Sequence, residues 1–493
     1  MTVHQQYIDL YRSQRAMIDA NAAPVLNAQR DGAAEVLARV GLSRPKDFTQ
    51  VDPEELLATD YSINLARHEV PTSREDLFSC AVPELSTDVH FLVNEQYVDN
   101  AASRKGNTQL PSVPRKQMPL GQEGAGVGLF AGSLRRFALE HPDIAERYYN
   151  RLAMRDDPHY DERANHTPVT AHRPLGEAAL NTLLCQDGFV LYVPDGVTVE
   201  KPLQLISLLR AVEDFMACQR ILIILGEGAK ASVLMCDHAS RLAADGSVAA
   251  DGAATAQLLS LQVTEIFAGR DAHLDFYQLE EHHDQCRRLS SVYVGQESGS
   301  NVALGNYTLT AGQTRNRVYI DFRAPGATTS LYGLCIADQQ QMVDNITYIR
   351  HRCEACQSNE LFKYVLDDQA RGSFVGRVLV QQGAVKTDAH QTDRNLCLTP
   401  EARMVARPEL EIYADDVKCS HGATVGQLDQ QALYYMRTRG IPEAEARLLL
   451  MTAFMSDVID GIRIEPLRDR LRHLVEKRLR GELTQCKSCV VRK

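Results

Sequence analysis

The segment Pro408-Glu-Leu-Glu-Ile-Tyr-Ala-Asp-Asp-Val-Lys-Cys-Ser-His-Gly-Ala-Thr424 joins a strand pattern to two potential metal ligands. In its first half, apolar residues alternate with charged or polar ones, which is typical of a β-strand with one dry face. Cys419 and His421 follow two residues apart, so in an extended chain both project from the same face. A thiolate and an imidazole are ligands for iron, zinc or copper(I). Two ligands do not close a metal site, however, and a small buried cysteine beside a turn histidine is the alternative interpretation.

The longer segment at 408–426 resembles the signature of the SufB/SufD family, the scaffold proteins of iron–sulfur cluster assembly. The likeness covers most of the chain, from about Glu35 to about Ile462, and is weaker between 101 and 175. Three further segments resemble the family in the expected order: Ala179-Leu-Asn-Thr-Leu-Leu-Cys-Gln-Asp-Gly-Phe-Val-Leu-Tyr-Val-Pro194, Leu366-Asp-Asp-Gln-Ala-Arg-Gly-Ser-Phe-Val-Gly376 and Lys386-Thr-Asp-Ala-His-Gln-Thr392. In the SufB branch of the family, the corresponding histidine is followed by a glutamate. Here Gly422 follows His421, so this position resembles the SufD branch.

The central part of the chain has the composition of a β-structure. From about Leu175, short runs of β-branched and aromatic residues alternate with glycine turns, and no stretch of helical period interrupts them. The pattern leaves a sandwich, a barrel or a β-solenoid open. The resemblance implies the last of these, a mainly β protein with a right-handed parallel β-helix core between N-terminal and C-terminal helical domains.

Four regions follow from this interpretation. After the core, the pattern changes to helices, with Asp429 as a plausible N-cap and Pro442 at the start of a second helix. That helix carries an apolar stripe, which we expect to dock on the protein's own core. The predicted regions are a mainly helical domain at 1–174 with a polar loop near 100–124, the β-helix at 175–426, a helical domain at 427–481 and a basic, cysteine-containing tail at 482–493.

Composition and charge argue against several classes of binding partner and cellular location. The net charge of −11 argues against nucleic acid and anionic lipid, because binding to phosphate backbones needs a basic surface. The N-terminal residues have neither a basic start nor an apolar core of a signal peptide, and no apolar run reaches the length of a membrane span. We therefore expect a cytoplasmic protein whose twelve cysteines are reduced.

The resemblance also implies partners and a site. It implies pairing with a SufB paralogue through the edge of the β-helix, with His421 and Cys419 at the interface where an iron–sulfur cluster or iron is held transiently. The chain alone is expected to hold no permanent cofactor, and a homodimer of the lone chain remains open. The resemblance further implies that the SufC ATPase docks on the C-terminal helices, and we expect Tyr434, Arg437, Arg439 and Arg447 to belong to that surface. The sequence has no Gly-x-x-x-x-Gly-Lys-Ser/Thr motif, so ATP hydrolysis would belong to the partner and the chain is expected not to be an enzyme.

Other thiols and imidazoles are secondary candidates. His351 and Cys356 match a family pattern, whereas Cys353 is an addition, and the pair Cys353/Cys356 supplies only half of a zinc site. His390 is expected to form hydrogen bonds within the solenoid. Two other runs are Glu280-Glu-His-His-Asp284, predicted to be a solvated polar face, and Cys486-Lys-Ser-Cys489, predicted to be part of a frayed terminus.

Two rival functions remain open. A stand-alone metal or cluster carrier would use the pairs Cys353/Cys356 and Cys486/Cys489. A polysaccharide-active β-helix enzyme is the second rival, but such enzymes are usually secreted, and the absence of tryptophan from the chain counts against a sugar-stacking surface.

Overall fold

Two long sheets dominate the molecule. The computed structural model describes residues 2–43, 48–68, 85–98, 127–155, 175–241, 256–282 and 286–482. Within them the chain forms a parallel β-solenoid of about eight turns with helices at both ends, which confirms the predicted fold class. In chain order the strands are β1 (Asp88–Val93), β2 (Gln96–Val98), β3 (Phe130–Ser133), β4 (Phe189–Val193), β5 (Leu203–Ala211), β6 (Phe215–Leu225), β7 (Lys230–Arg241), β8 (Leu258–Ala268), β9 (His273–Glu281), β10 (Cys286–Gln296), β11 (Asn301–Thr310), β12 (Gln313–Phe322), β13 (Thr328–Ala337), β14 (Met342–His351), β15 (Gln357–Leu366), β16 (Arg371–Val380), β17 (Asp388–Cys397), β18 (Arg403–Ile412) and β19 (Lys418–Gly426).

The strands divide by number between the two sheets. The odd sheet runs from β2 and β1 through the odd-numbered strands β5 to β19, and the even sheet runs from β3 and β4 through the even-numbered strands β6 to β18. Each strand from β5 onward pairs in parallel with the strand two places away in the sequence, for example with Gln313, Met342 and Arg371 in one register column. One coil of the solenoid therefore contributes one strand to each sheet.

Glycine–alanine turns join the strands of successive coils. Gly228, Gly326 and Gly383 have φ of 64°, 75° and 87°, the left-handed region that a side chain disfavours. The alanine after each glycine is fully buried and belongs to the hydrophobic cluster between the sheets. The glycine thus reverses the chain while the small methyl group points into the core, which explains why this dipeptide recurs in the sequence.

The two ends of the solenoid are built differently. At the N-terminal end, β2 pairs antiparallel with β1, and β3 pairs antiparallel with β4. Tyr97 and Ala131 of these strands pack against the inner cluster and close it. At the C-terminal end, β19 and β18 are the last strands of the odd and even sheets within the described residues.

The N-terminal helices cover the outer face of the even sheet. Their apolar side chains form one cluster with Met216, Cys218, Leu259 and Leu261 of that sheet. The range 1–174 also contains β1 to β3, and its predicted polar loop near 100–124 lies outside the described residues. These helices are α1 (Val3–Asn21), α2 (Pro24–Asn27), α3 (Arg30–Val40), α4 (Pro53–Leu56), α5 (Leu134–Glu140), α6 (Pro142–Tyr148) and α7 (Gly176–Leu184).

Three C-terminal helices, α8 (Gln430–Thr438), α9 (Glu443–Asp460) and α10 (Glu465–Leu479), follow β19. Met451, Met455 and Val458 of α9 pack in one cluster with apolar residues of the outer face of the odd sheet, which confirms the predicted docking of the stripe on the protein's own core. The predicted tail beyond residue 482, with Cys486 and Cys489, is outside the described part of the chain. No helix among the described residues is long and apolar enough to cross a membrane.

Candidate functional site

The open C-terminal end of the β-helix carries the two residues singled out by the sequence. Within the described structure, β19 pairs only with β17 in the odd sheet, and β18 only with β16 in the even sheet. Every residue of β19 except the partly buried Cys419 is exposed, although it is a regular strand. Three large apolar side chains are also exposed at this end, Ile412 (41%), Tyr413 (45%) and Val425 (51%). Exposed apolar groups beside an unpaired strand edge are characteristic of a surface that another chain covers.

Cys419 lies at the last position of the inner core. It is in register with the fully buried Ala389 of β17 and packs against the hydrophobic cluster between the sheets. Burial raises the pKa of the Cys419 thiol above its ordinary value, so the group is protonated at neutral pH. The thiol is therefore a weak nucleophile until a base or a metal ion removes its proton.

His421 lies on the same face of β19 as Cys419, as their spacing predicts, but it is exposed. Its register partner on β17 is Gln391, which is buried and donates a hydrogen bond to Glu360 of β15. His421 is thus the uncovered end of an inward-facing polar column. It is exposed because no further coil lies above it within the described residues.

A thiol and an imidazole do not by themselves complete a metal site. The described residues contain no group of three or more His, Cys, Asp or Glu side chains placed to hold a metal ion. Iron held at this end would need further ligands from outside the described chain.

His390 lies on the opposite, outer face of the odd sheet. Its Nδ1 is 2.7 Å from the Oγ of Ser420, and its Nε2 is 2.8 Å from the Oδ1 of Asp388. The ring therefore links β17 to β19, which confirms the predicted hydrogen bonding within the solenoid.

The candidates His351, Cys356 and Cys353 have separate surroundings. His351 is buried, its Nε2 lies 2.9 Å from the Oγ of Ser358, and burial lowers its pKa to about 3, so the ring is neutral. Cys356 is buried with its Sγ 3.4 Å from the carbonyl oxygen of Ala324, and burial raises its pKa. Each side chain thus has a polar contact inside the protein, although the buried Nδ1 of His351 has no hydrogen-bond partner among the described residues.

Cys353, by contrast, is partly exposed and lines a surface recess with four arginines. Nothing in the sequence drew attention to this recess. The sequence does place Arg323, Arg352 and Gln381 at intervals of 29 residues, which is the length of a coil there. This spacing indicates neighbouring side chains only when the register of the strands is known.

The residues expected to form a docking surface lie on α8, at its C-cap and on α9. Tyr434 is 70% exposed, and Arg437 and Arg439 are exposed as well, the first in an ion pair with Glu443 at 3.2 Å. Arg447 is half-buried, so it is less accessible than the other three residues. It lies on α9 next to the buried Ala446 and Leu448, where the core limits its access to solvent.

The prediction that the run Glu280-Glu-His-His-Asp284 forms a solvated polar face was wrong for its described residues. Glu280, Glu281 and His282 are buried rather than solvated, and His282 Nδ1 lies 3.3 Å from Glu280 Oε1. Arg288 supplies the buried positive charge nearby, at 3.7 Å from Glu280. His283 and Asp284 lie outside the described residues.

Comparison with known families covers almost the whole chain. Residues 208–454 match the family described as SUF system FeS cluster assembly, SufBD core domain, and residues 1–205 match the SufBD protein N-terminal region. The chain belongs to the SufBD family. The predicted resemblance is thereby confirmed, and SufBD proteins take part in iron–sulfur cluster assembly.

Individual SufBD relatives agree with this membership. An iron–sulfur cluster assembly SufBD family protein of Synechocystis is 26% identical over 499 residues, which span 97% of each chain. The iron–sulfur cluster assembly protein SufD of Bacillus subtilis is 26% identical over 451 residues, 89% of this chain and 92% of that protein. SufD of Escherichia coli is 33% identical over 176 residues, 36% of this chain and 42% of that protein.

Proposed function

We propose that this chain is a non-catalytic scaffold subunit for iron–sulfur cluster assembly and that it acts through the open end of its β-helix. The observation that supports the proposal is the exposed strand β19, which presents Cys419 and His421 beside an edge that no other described strand pairs with. Such an edge is a template for a strand of another chain. A SufB paralogue with the same fold would extend both sheets across the junction and cover Ile412, Tyr413 and Val425.

The chemistry of the two residues fits a shared site. One thiol and one imidazole would ligate iron or the nascent cluster, which is the cargo of the system, and the partner would supply the remaining ligands. Because the pKa of Cys419 is raised, iron binding must displace its proton. This requirement favours assembly in the complex, where a second set of ligands contributes binding free energy, over assembly on the lone chain.

The C-terminal helices would recruit the SufC ATPase. Tyr434, Tyr435 and Leu449 are exposed there by 70%, 59% and 44%, beside the charged Arg437 and Arg439. A rim of arginines around exposed aromatic side chains is a common composition for protein interfaces. ATP hydrolysis on that partner would then drive changes at the junction through α8, which follows β19 directly in the chain.

The test is co-expression with the cognate SufB and SufC, comparing wild type with His421→Ala. His473→Ala, an exposed histidine on α10, is the matched control. The stoichiometry of the purified complex and its iron and sulfide content under anaerobic conditions are measured. We expect His421→Ala to leave the complex intact and to lose most of its cluster, while His473→Ala retains both.

Two results would contradict the proposal at different levels. Unchanged cluster content in an intact His421→Ala complex would make His421 structural and leave Cys419 as the remaining candidate at this edge. Failure of the wild-type chain to form any complex with SufB and SufC would remove the scaffold function itself. A stable, stoichiometric cluster on the lone reconstituted chain would favour the carrier instead.

A further inference from the structure

Pro408 lies in the middle of β18, the last described strand of the even sheet. The register of β18 on β16 runs from Arg403 to Ile412 without a shift and places Pro408 opposite Gly376, so the strand is regular at this point. Proline has no backbone N–H, and within a sheet it occurs where the missing donor faces away from the neighbouring strand. The position of Pro408 therefore indicates how another chain can pair with β18.

Two hydrogen bonds fix the direction of the backbone groups along β18. The amide of Arg403 donates to the carbonyl oxygen of Ala370 at 3.0 Å, and the amide of Tyr413 donates to that of Val380 at 2.8 Å. Both acceptors lie at the ends of β16, and backbone groups alternate in direction along a parallel strand. Odd-numbered residues of β18 therefore face β16, and even-numbered residues face the open edge. Pro408 is even-numbered, so the missing donor lies at that edge.

The edge of β19 has no such interruption. The amide of Lys418 donates to the carbonyl oxygen of Thr387 at 2.8 Å, so the even-numbered residues of β19 face β17. The odd-numbered residues direct their N–H groups to the open edge, and they are Cys419, His421, Ala423 and Val425. This edge therefore presents four donors in succession, whereas β18 presents two donors on each side of a gap.

The outer face of β18 adds a second obstacle to strand pairing. Glu409 forms ion pairs with Arg377 at 3.3 Å and with Arg407 at 2.5 Å, and Glu411 also pairs with Arg377. Prolines and charged side chains are two of the devices by which proteins oppose the addition of a strand to an edge. The corresponding face of β19 carries one charged residue, Lys418, and is otherwise made of glycine, serine and threonine. Both observations make β19 the better edge for pairing.

We propose that a strand of the SufB partner pairs along the whole of β19 and that Pro408 interrupts pairing along β18. The inference rests on the proposed function, because it takes the open end of the β-helix as the junction with SufB. Both sheets meet the partner there, but only the odd sheet continues through an uninterrupted series of backbone hydrogen bonds. Cys419 and His421 therefore lie on the continuously paired side of the junction.

The test compares amide hydrogen exchange in the full chain alone and in its complex with the cognate SufB and SufC. Exchange is read at single residues by mass spectrometry with electron-transfer fragmentation. Binding of SufB is expected to slow exchange at the four edge amides of β19 by about tenfold or more, because each donates a hydrogen bond to the partner. The amides of Ala406 and Leu410, on either side of Pro408, are expected to slow by less than about threefold.

Pro408→Ala restores the missing donor. In the complex we expect the new amide at position 408 to be protected, together with those of Ala406 and Leu410. The affinity for SufB should rise about three- to tenfold, the effect of roughly one hydrogen bond. The matched control is Pro325→Ala, which removes an exposed proline from the turn before β13 and should leave the affinity unchanged.

Different results would overturn the inference and the proposed function. Equal protection of Ala406, Leu410 and the β19 amides in the wild-type complex would overturn the inference, and so would protection confined to β18. An unprotected amide at position 408 and an unchanged affinity in Pro408→Ala would show that Pro408 does not limit pairing. A wild-type chain that forms no complex with SufB would remove the proposed function, and the inference with it.

Discussion

Glu360 is a carboxyl group enclosed inside the β-helix, in the register column that ends at His421. It lies on β15, two strands from the open end, with Gln391 of β17 between them. Burial raises its pKa to about 7, and the hydrogen bond from Gln391 offsets only part of that effect. The carboxyl group is therefore largely neutral below that pH. A neutral form suits this position, because no described residue forms an ion pair with Glu360 and burying an unpaired charge is costly.

This shift predicts a pH-dependent component of the free energy of unfolding that Glu360→Gln removes. The unfolded chain loses the proton above about pH 4.5, whereas the folded protein retains it until about pH 7. The contribution of Glu360 to the free energy of unfolding is therefore fully present below about pH 4.5. It is lost as the pH rises through 7, and the total loss is roughly 3 kcal/mol. Urea unfolding of both proteins at pH 5 and pH 8 should show wild type losing most of this amount relative to Glu360→Gln.

The control for this prediction is Glu465→Gln, which changes a carboxylate that is 78% exposed. It should leave the pH profile of wild type unchanged. Parallel profiles of wild type and Glu360→Gln between pH 5 and pH 8 would mean that Glu360 is already ionised in the folded protein.

At the scale of single elements, α9 shows how one helix serves two surfaces. Met455 is fully buried against the odd sheet, whereas Leu449 on the same helix is 44% exposed. The buried ammonium group of Lys363 on β15 donates a hydrogen bond to the carbonyl oxygen of Phe454 at 2.6 Å and forms an ion pair with Asp457. Polar contacts therefore hold α9 on the sheet in addition to the apolar packing. The helix is therefore anchored by the sheet, and its outer face is available for a partner.

Substituting these two apolar residues should separate the functions of the faces. Met455→Ala is expected to lower the free energy of unfolding by about 2–5 kcal/mol, because it leaves a cavity in a packed cluster. Leu449→Ala should change it by less than about 0.5 kcal/mol. Urea unfolding followed by circular dichroism, with hydrogen exchange of α9, measures both. Equal effects of the two changes would contradict the docking of the stripe described above.

The elements also mark where reasoning from the sequence ends. Strand alternation, the glycine–alanine turns and the helical stripe are local patterns, so the strands and the docked helix could be predicted from them. The coil length is irregular, since successive columns of the odd sheet from Asn301 to Asp388 are 27, 29 and 31 residues apart. The register of the strands could therefore not be predicted from the sequence. For this reason neither the arginine recess nor the burial of Glu280 was predicted.

At the scale of the whole molecule, the solenoid is asymmetric along its axis. Each coil contacts mainly its neighbours, so an end is stable only if something covers it. The N-terminal end is covered by antiparallel strands and by Tyr97 and Ala131. The C-terminal end, with β18 and β19, has no such cover within the described residues. That β19 is the last strand is a property of the topology, which its own sequence does not reveal.

This asymmetry predicts that association depends on the edge of β19, whether the partner is SufB or a second copy of the chain. Val425→Lys places a charge beside the unpaired edge, and charged edges oppose strand pairing. Val425 is 51% exposed, so the fold should tolerate the change, and Val212→Lys, at 54% exposure and away from this edge, is the matched control. Light scattering after size exclusion should show that Val425→Lys loses the complex with SufB, and any homodimer of the lone chain, while Val212→Lys behaves as wild type. Retained association in Val425→Lys, or an equal loss in Val212→Lys, would show that the molecule meets its partners elsewhere than at its open end.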